Sequence, residues 1–324
     1  MKINWGVLGT ASIARGCTIP GMLMAEHCNL YAIAGRSEAK AKAFAEEFGF
    51  EKYYEGYDRL LEDEKVDAVY VPLPNDIHKE WVIKALRAGK HVLCEKPLAM
   101  NADEAKEMYA VAKECGKILM EAYAYLHTPY VAALKDIVKS GIIGNVKYIE
   151  SAFVTQGYHE DFRLYKEKGG GAVYDLGCYC TTMILSLIDS EITYVKGDAE
   201  FSDLGVDLQS AVIMGFENGT RASFNVGMIL GKDSNARFDR LYICGDKGYV
   251  KSDVEYNQQG ELSFTVVSEG VKEIKTVSVS QNYALEVENL CLSILGEETP
   301  LVTPEFSIKN SELLDRILKE IGYY

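Results

Sequence analysis

The chain has 324 residues, of which 48% are hydrophobic and 25% are charged, a composition typical of a globular protein with room for two domains. Its formal net charge of -14 at pH 7 disfavours binding to a nucleic-acid backbone, because nucleic-acid proteins usually show a basic face, although it leaves room for local basic pockets. The apolar runs are no longer than a strand, so we expect no membrane span, no amino-terminal targeting signal and a cytoplasmic location.

The eight cysteines include no C-x-x-C pair, and several lie in apolar segments. This pattern predicts reduced, mostly buried thiols and no disulfide framework. The nearest pair, Cys178 and Cys180, lacks the spacing of a zinc knuckle. We therefore predict no metal site.

Strands and helices alternate in the first third of the chain, with short glycine-containing connections. The predicted strands are 2–8, 29–34, 52–55, 66–71, 91–94 and 117–123. Regular alternation of this kind predicts an α/β domain built on a doubly wound parallel sheet, the Rossmann arrangement. We assign residues 1–122 to this dinucleotide-binding domain.

The first strand meets Gly9-x-Ala11-x-x-Ala14, a relaxed form of the dinucleotide-binding motif. Small residues there allow a tight turn, a close approach of a pyrophosphate and packing of the helix on the strand. The alternative is a generic turn of small residues. The predicted cofactor contacts in this turn are Gly9, Thr10, Ala11, Ser12 and Ile13.

The second predicted strand ends in Gly35-Arg36-Ser37. NAD enzymes usually carry at this place a carboxylate that binds the adenosine ribose hydroxyls. An arginine instead offers donors that fit a 2'-phosphate. We therefore favour NADP, bound by Arg36 and Ser37, over NAD; the alternative is a solvated Arg36 and a Ser37 that caps the next helix.

The stretch 66–100 concentrates the chemistry of this domain. Its first strand is closed by Pro72 and Pro74, and its second strand ends in Glu95-Lys96-Pro97. Ligands bind outside the carboxyl ends of parallel strands, so Lys96 is placed for chemistry. The alternative is an ordinary surface lysine.

After residue 122 the pattern changes. Helices are predicted at 129–139, 173–188, 283–295 and 306–321, and strands at 146–155, 211–216, 220–228, 237–244 and 249–254. The turns Glu217-Asn218-Gly219 and 245–248 indicate hairpins. We predict an α+β domain over 123–324 with a large, mostly antiparallel sheet, whose uncovered face needs solvent or a partner.

Four motifs together give a specific resemblance. They are the glycine turn, Pro74-Asn75-Asp76-Ile77-His78, Glu95-Lys96-Pro97 and the Gly-Gly-Gly-x-x-x-Asp-x-Gly segment at 169–177. In this order the chain resembles the Gfo/Idh/MocA oxidoreductase family. The resemblance implies a two-domain NAD(P)-dependent enzyme that acts on a sugar, cyclitol or diol and forms a homodimer or homotetramer through its carboxy-terminal sheet.

The resemblance also implies residue roles. Lys96 is the catalytic lysine, and the residues near the nicotinamide ribose are Leu73, Pro74, Asn75, His78, Glu95 and Lys96. Tyr179 stands four residues after Asp175, where many members carry histidine. A tyrosine there is similar to the branch of glucose-fructose oxidoreductase, dihydrodiol dehydrogenase and xylose dehydrogenase.

These roles lead to a hypothesis for the chemistry. Tyr179 exchanges a proton with the substrate oxygen, and Lys96 polarises that oxygen. The unperturbed pKa of a tyrosine is about 10, and acid–base catalysis works best when the pKa lies near the operating pH. The positive charge of Lys96 favours the phenolate and so would lower the pKa of Tyr179. Asp175 orients the pair or binds a substrate hydroxyl. The alternative for Tyr179 is a core tyrosine in an apolar helix.

Weaker substrate-contact candidates are aromatic or basic residues after the sixth strand and in the polar loop 156–171: Tyr125, Tyr158, Phe162 and Arg163. A solvated loop is the alternative for its members. Many relatives carry Tyr-Arg-Phe-His-Pro where this chain has Tyr-Leu-His-Thr-Pro at 125–129, so an arginine contact does not transfer.

The sequence therefore favours an NADP-preferring oxidoreductase of a sugar, cyclitol or vicinal diol. Two other functions stay open. One is a glycosidase of the same superfamily that holds NAD and oxidises the sugar transiently, and the other is a non-catalytic NADP-binding sensor.

Overall fold

The computed structural model describes residues 1–156, 161–230 and 236–324. The chain forms two compact units, the first made of residues 1–127 with 281–311 and the second of 128–280 with 312–324. The sequence prediction divided the chain once, after residue 122. In the structure the segment 281–311 returns to the first unit, so both units are discontinuous in sequence.

The described residues include nine α-helices. They are α1 (Ile19–Met24), α2 (Glu38–Phe48), α3 (Tyr57–Leu61), α4 (His78–Arg87), α5 (Ala102–Cys115), α6 (Pro129–Ser140), α7 (Cys178–Leu187), α8 (Asn282–Leu295) and α9 (Pro304–Glu320). Within residues 1–156, 161–230 and 236–324, none of them combines the length and apolarity needed to cross a membrane.

The first unit contains a six-stranded parallel sheet. Its strands are β1 (Ile3–Leu8), β2 (Cys28–Gly35), β3 (Lys52–Glu55), β4 (Ala68–Val71), β5 (His91–Glu95) and β6 (Leu119–Ala122). They lie in the order β3-β2-β1-β4-β5-β6, with every neighbouring pair parallel. The predicted doubly wound sheet is thereby confirmed. The strand order reverses between β1 and β4, and ligands of such sheets bind at that point.

The second unit contains an eight-stranded sheet. Its strands are β7 (Val146–Gln156), β8 (Ile192–Phe201), β9 (Asp207–Phe216), β10 (Arg221–Leu230), β11 (Arg237–Gly245), β12 (Gly248–Ser252), β13 (Gly260–Ser268) and β14 (Val271–Val279). The order is β14-β13-β12-β11-β7-β10-β9-β8. Only the central pair β7–β10 is parallel among these described strands, which confirms the mostly antiparallel sheet.

The two faces of this second sheet differ in burial. Helices α6 and α7 pack against it, and side chains such as Val212 and Val250 are buried. Their strand neighbours Ile213 and Tyr249 point to the other face, since side chains alternate along a strand. These two and Phe238 are among the exposed large apolar residues of the chain. The outer face of the sheet thus carries exposed apolar side chains among polar ones.

The eight cysteines are free thiols, as their spacing predicted. Five of them, including Cys94 and Cys178, are buried. Burial raises the pKa of Cys94 well above its usual range. This thiol therefore stays protonated and packs as a small apolar side chain in the core beside the first sheet.

Helix α1 approaches α8 closely at Gly21. A Cβ at this position would lie 2.6 Å from the Cβ of Tyr283 and 2.8 Å from the main-chain nitrogen of Ala284. Neither atom can move without a shift of the backbone of α8. We expect the substitution Gly21→Ala to lower the free energy of unfolding by about 1–3 kcal/mol, as overpacking does.

The matched control for that substitution is Gly16→Ala, in the helical turn that precedes α1. No atom lies within 4 Å of a Cβ at Gly16, and alanine favours a helix by about 1 kcal/mol over glycine. Urea unfolding of both variants checks the expectation. Equal stabilities would contradict the close approach of α1 and α8.

Candidate active site

The glycine turn lies at the carboxyl end of β1. Gly9 has φ of +120°, and its amide donates a 2.8 Å hydrogen bond to the Ala34 carbonyl at the end of β2. A Cβ at Gly9 would lie 3.2 Å from Cδ2 of Leu73, which follows β4. The turn therefore borders the crevice where the strand order reverses, and only glycine suits its backbone conformation.

Thr10, Ala11 and Ile13 are partly exposed and Ser12 is exposed. A helical segment begins at Ser12, and the Arg15 amide donates to the Ala11 carbonyl over 3.1 Å. The first amides of a helix have no intrahelical acceptor. They are the donors that a pyrophosphate would use.

Arg36 and Ser37 follow β2. Ser37 occupies the N-cap position of α2, but its side chain makes no capping hydrogen bond, so the capping alternative is not observed. Arg36 is exposed. Burial raises the pKa of Tyr57, and the positive charge of Arg36 opposes this rise. The Tyr57 hydroxyl would lie 3.7 Å from a Cβ at Gly9, so Tyr57 borders the crevice at the glycine turn.

His78 joins the loops that follow β4 and β5. Its Nε2 lies 2.7 Å from the Leu73 carbonyl oxygen and its Nδ1 lies 3.0 Å from that of Pro97. The ring is fully buried. Burial lowers the pKa of His78, although hydrogen bonds to the two carbonyls favour the protonated form and act in the opposite direction. Because both ring nitrogens contact main chain, this geometry favours a positioning role for His78 over contact with a cofactor.

Glu95 supports the chain just before Lys96. Its Oε1 accepts a 2.5 Å hydrogen bond from the hydroxyl of Tyr70, which in turn accepts one of 2.9 Å from Thr18. Its Oε2 accepts the Lys96 amide at 3.3 Å. Glu95 thus holds the main chain of the Glu-Lys-Pro motif at the end of β5.

Glu121 on β6 supports the same loop from the other side, and the sequence analysis missed it. Its Oε1 accepts a 2.9 Å hydrogen bond from the amide of Leu98. Burial raises the pKa of Glu121 to about 7, against smaller effects that include the Leu98 amide and the charge of Lys96. The signal was a lone acid inside the apolar strand 117–123.

Two other predicted residues of the first unit have little exposed surface. Asn75 is 5% exposed and begins the short 3-10 turn that precedes α4. Tyr125 is 3% exposed, and its ring packs edge-on against Tyr123 with centroids 6.3 Å apart. The ring of Tyr125 has little surface left for a substrate contact within this unit.

In the second unit, Asp175 and Tyr179 lie four residues apart on one continuous helical segment that runs from Val173 into α7. Asp175 is 9% exposed, and its Oδ2 lies 3.1 Å from Nε of Arg163. The Arg163 guanidinium lies 4.7 Å from the ring centroid of Phe162. The structure therefore brings Asp175, Arg163 and Phe162 together; Tyr158 lies outside the described residues.

An acid that the sequence analysis did not single out caps this helical segment. Asp207 on β9 accepts hydrogen bonds from the Val173 amide, 2.9 Å, and the Ser210 hydroxyl, 2.8 Å. A Cβ at Gly171 would lie 2.1 Å from Oδ1 of Asp207, so the glycine run gives the acid room. Burial raises the pKa of Asp207 to about 6.

Tyr179 lies among aromatic rings. The centroids of Phe153 and Tyr256 are 5.5 and 5.3 Å from its own. Its hydroxyl accepts a 3.3 Å hydrogen bond from Nδ2 of Asn257, and the guanidinium of Arg237 lies 4.2 Å from the Phe153 centroid. The sequence analysis missed these four neighbours, because they come from strands and turns remote in the chain.

Two family models match the chain. Residues 3–123 match the model described as "Oxidoreductase family, NAD-binding Rossmann fold". Residues 131–251 match the "GFO/IDH/MocA C-terminal domain". The first match covers all six strands of the first sheet, and the second match covers part of the eight-stranded sheet.

Individual relatives match over nearly the whole chain. D-xylose 1-dehydrogenase (NADP(+)) 2 of Haloferax volcanii is 30% identical over 97% of this chain and 95% of its own. Trans-1,2-dihydrobenzene-1,2-diol dehydrogenase of Xenopus laevis is 29% identical over 99% of both. The crystal structure of KijD10, a 3-ketoreductase of Actinomadura kijaniata in complex with NADP and TDP-benzene, superposes with a TM-score of 0.92 at 29% identity, over 99% of this chain and 98% of its own.

Glu121 makes stability depend on pH. Its pKa is about 7 in the folded protein, against 4.5 for an ordinary glutamate, so the folded state binds more protons between these values. The free energy of unfolding therefore falls as pH rises through this window, by about 3 kcal/mol for the whole rise. We expect Glu121→Gln, which keeps an acceptor for the Leu98 amide, to remove that fall.

Urea unfolding at about pH 4 and pH 8 measures this difference, since the two values bracket the window. The exposed Glu114 provides the control, and Glu114→Gln should keep the pH profile of the unsubstituted protein. If the free energy of unfolding changed with pH in the same way in Glu121→Gln and in the unsubstituted protein, the raised pKa of Glu121 would be contradicted.

Proposed function

The chain belongs to the Gfo/Idh/MocA oxidoreductase family, and from this premise we propose that it is an NADP-preferring enzyme that transfers a hydride between nicotinamide C4 and a sugar, cyclitol or vicinal diol. The resemblance read from the four sequence motifs is thereby confirmed. The observation that carries the proposal is the placement of Lys96 at the carboxyl end of β5, with its loop held by Glu95 and Glu121.

The residues of the first unit fit a dinucleotide. The turn from Gly9 to Ile13 offers main-chain amides for the pyrophosphate, and Leu73, Pro74 and Asn75 follow β4 on the other side of the crevice. The end of β2 carries Arg36, whose guanidinium suits a 2'-phosphate. NADP, when bound, would donate or accept the hydride. The names of the xylose dehydrogenase and of the KijD10 complex support NADP over NAD.

The chain's own groups would handle the proton. We assign to Tyr179 the exchange of a proton with the substrate oxygen, and to Lys96 the polarisation of that oxygen. The ion pair of Asp175 with Arg163 supports an orienting role for Asp175. General acid–base catalysis of this kind contributes about 100- to 10,000-fold to a rate.

We also propose a homodimer or homotetramer formed through the outer face of the eight-stranded sheet. Exposed large apolar residues on that face, among them Ile213, Phe238 and Tyr249, support it, because a partner would remove them from water. A cytoplasmic location stays a prediction.

The proposed function is tested by the change in nicotinamide absorbance. Purified protein is mixed with NADP or NAD and a panel of aldoses, inositols and vicinal diols, or with reduced cofactor and keto sugars. We expect one class to support turnover with NADP. Lys96→Met should lower kcat by about 100- to 10,000-fold, since it removes the polarising charge, and should leave NADP binding measured by fluorescence intact.

Lys113→Met, on the exposed side of α5, is the control for loss of a lysine. Undiminished turnover in Lys96→Met would contradict the catalytic role. Cofactor binding without turnover of any substrate in the unsubstituted protein would instead favour the transient-oxidation glycosidase or the sensor.

The choice of cofactor is tested separately at Arg36. Arg36→Ala removes the charge-assisted hydrogen bonds to the 2'-phosphate and should raise KM for NADP by about 10- to 100-fold, with little change for NAD. Lys40→Ala, an exposed cation on α2, should leave both constants unchanged. An equal change in KM for NADP and for NAD would show that Arg36 does not bind the 2'-phosphate.

A further inference from the structure

Asn257 has an unusual backbone conformation. Among the described non-glycine residues only Asn257 and Glu269 have positive φ, and the φ of Asn257 is 62°. The Gln258 amide donates to the Glu255 carbonyl over 3.1 Å, so Asn257 lies in a tight turn between β12 and β13. Asparagine is one of the few residues that tolerate this conformation.

An ion pair on β11, between the partly exposed Arg237 and the buried Asp239, holds this turn. Nε and Nη2 of Arg237 lie 2.7 and 2.6 Å from the two carboxylate oxygens of Asp239. Nη2 of Arg237 also donates to the Tyr256 carbonyl, 2.8 Å, and the Tyr256 amide donates to Asp239, 2.7 Å. Both main-chain polar groups of Tyr256 are therefore fixed, and the residue that follows it is fixed with them.

The turn places the side-chain amide of Asn257 against the Tyr179 hydroxyl, with Nδ2 3.3 Å from Oη. An N–H that points at the phenolic oxygen occupies one of its lone pairs and directs the phenolic proton elsewhere. The same donor stabilises the oxygen better when it is charged than when it is neutral. Both effects suit a phenol that passes a proton to and from another molecule.

We propose that Asn257, presented by the Arg237–Asp239 pair, is a positioning residue that orients the hydroxyl of Tyr179 and favours its ionised form. This inference rests on the proposed acid–base role of Tyr179. It adds a residue that is 78 positions away in the chain and belongs to none of the four family motifs.

The charged and titratable groups near Tyr179 among the described residues of the second unit lie on several elements. Arg237 and Asp239 are on β11, and Glu255 and Tyr256 are in the turn. Asp175 lies one turn earlier on the helix of Tyr179, and its ion-pair partner Arg163, in the 3-10 turn 162–164, also pairs with Asp161. Arg237 is paired with Asp239, so the two charges largely offset each other. The amide of Asn257 supplies the direct hydrogen bond to the hydroxyl that the geometry shows.

The discriminating variant is Asn257→Gly. Glycine adopts positive φ without strain, so the turn is kept and only the amide donor is lost. Asn257→Asp replaces the donor by an acceptor and a negative charge. If Asn257 only serves the turn, Asn257→Gly leaves the titration of Tyr179 unchanged, whereas Asn257→Asp raises the pKa of Tyr179 through its charge in either case.

The first readout needs no substrate. Ultraviolet difference titration of tyrosinate, with the Tyr179→Phe form of each variant as its reference, isolates the ionisation of Tyr179. We expect its apparent pKa to rise by about 0.5 to 1 in Asn257→Gly, the equivalent of one hydrogen bond, and by more in Asn257→Asp. Gln258→Ala, which alters the same turn through an exposed side chain, should leave the titration unchanged.

The second readout is the pH profile of kcat with the substrate found above. Asn257→Gly should lower kcat by about two- to tenfold and shift the profile to higher pH, without a change in KM for NADP. An unchanged titration of Tyr179 in Asn257→Gly would overturn the inference. Absence of turnover in the unsubstituted protein would count against the proposed function alone, because the titration decides the inference without it.

Discussion

The loop that carries Lys96 depends on two acidic side chains of the first unit, Glu95, which is partly exposed, and Glu121, which is buried. Glu95 accepts the Lys96 amide and the hydroxyl of Tyr70, and Glu121 accepts the amide of Leu98. A buried acceptor is costly unless a donor reaches it. The loop is therefore confined to backbone conformations that bring its amides to these oxygens, and the position of the lysine follows from that constraint.

In the second unit, two further acidic side chains accept hydrogen bonds from main-chain amides. Asp207 accepts the amide of Val173, where the helical segment with Tyr179 begins, and Asp239 accepts the amide of Tyr256. Burial raises the pKa of both acids, so each lowers stability at neutral pH relative to an exposed carboxylate. An apolar side chain in either place would avoid this cost but leave an amide without an acceptor. Costly groups of this kind are retained where function needs fixed geometry.

Short-range sequence patterns were sufficient to predict the fold class, but not the acidic side chains that hold the Lys96 loop and the Tyr179 helix. Alternating strands and helices, the turn at Gly9 and the Asn-Gly hairpin are patterns over a few residues, and they predicted the type of both sheets. The strands β8, β13 and β14 of the second sheet were not predicted. The acceptor on Glu121 and its donor on Leu98 are 23 residues apart, and no periodicity links such positions. His78 shows the converse: its motif was recognised, but only the coordinates reveal that both ring nitrogens contact main chain.

The arrangement also separates the three functions that the sequence left open. A protein that only senses NADP needs the dinucleotide crevice, but it has no use for a lysine loop held from two sides or for a phenol oriented by Asn257. Those features suit a protein that polarises an oxygen and moves a proton. A glycosidase with transient oxidation would use them too, but it would hold NAD, whose ribose is usually bound by a carboxylate. Arg36 at the end of β2 would favour a phosphate there instead, which is why we propose net hydride transfer with NADP over either alternative.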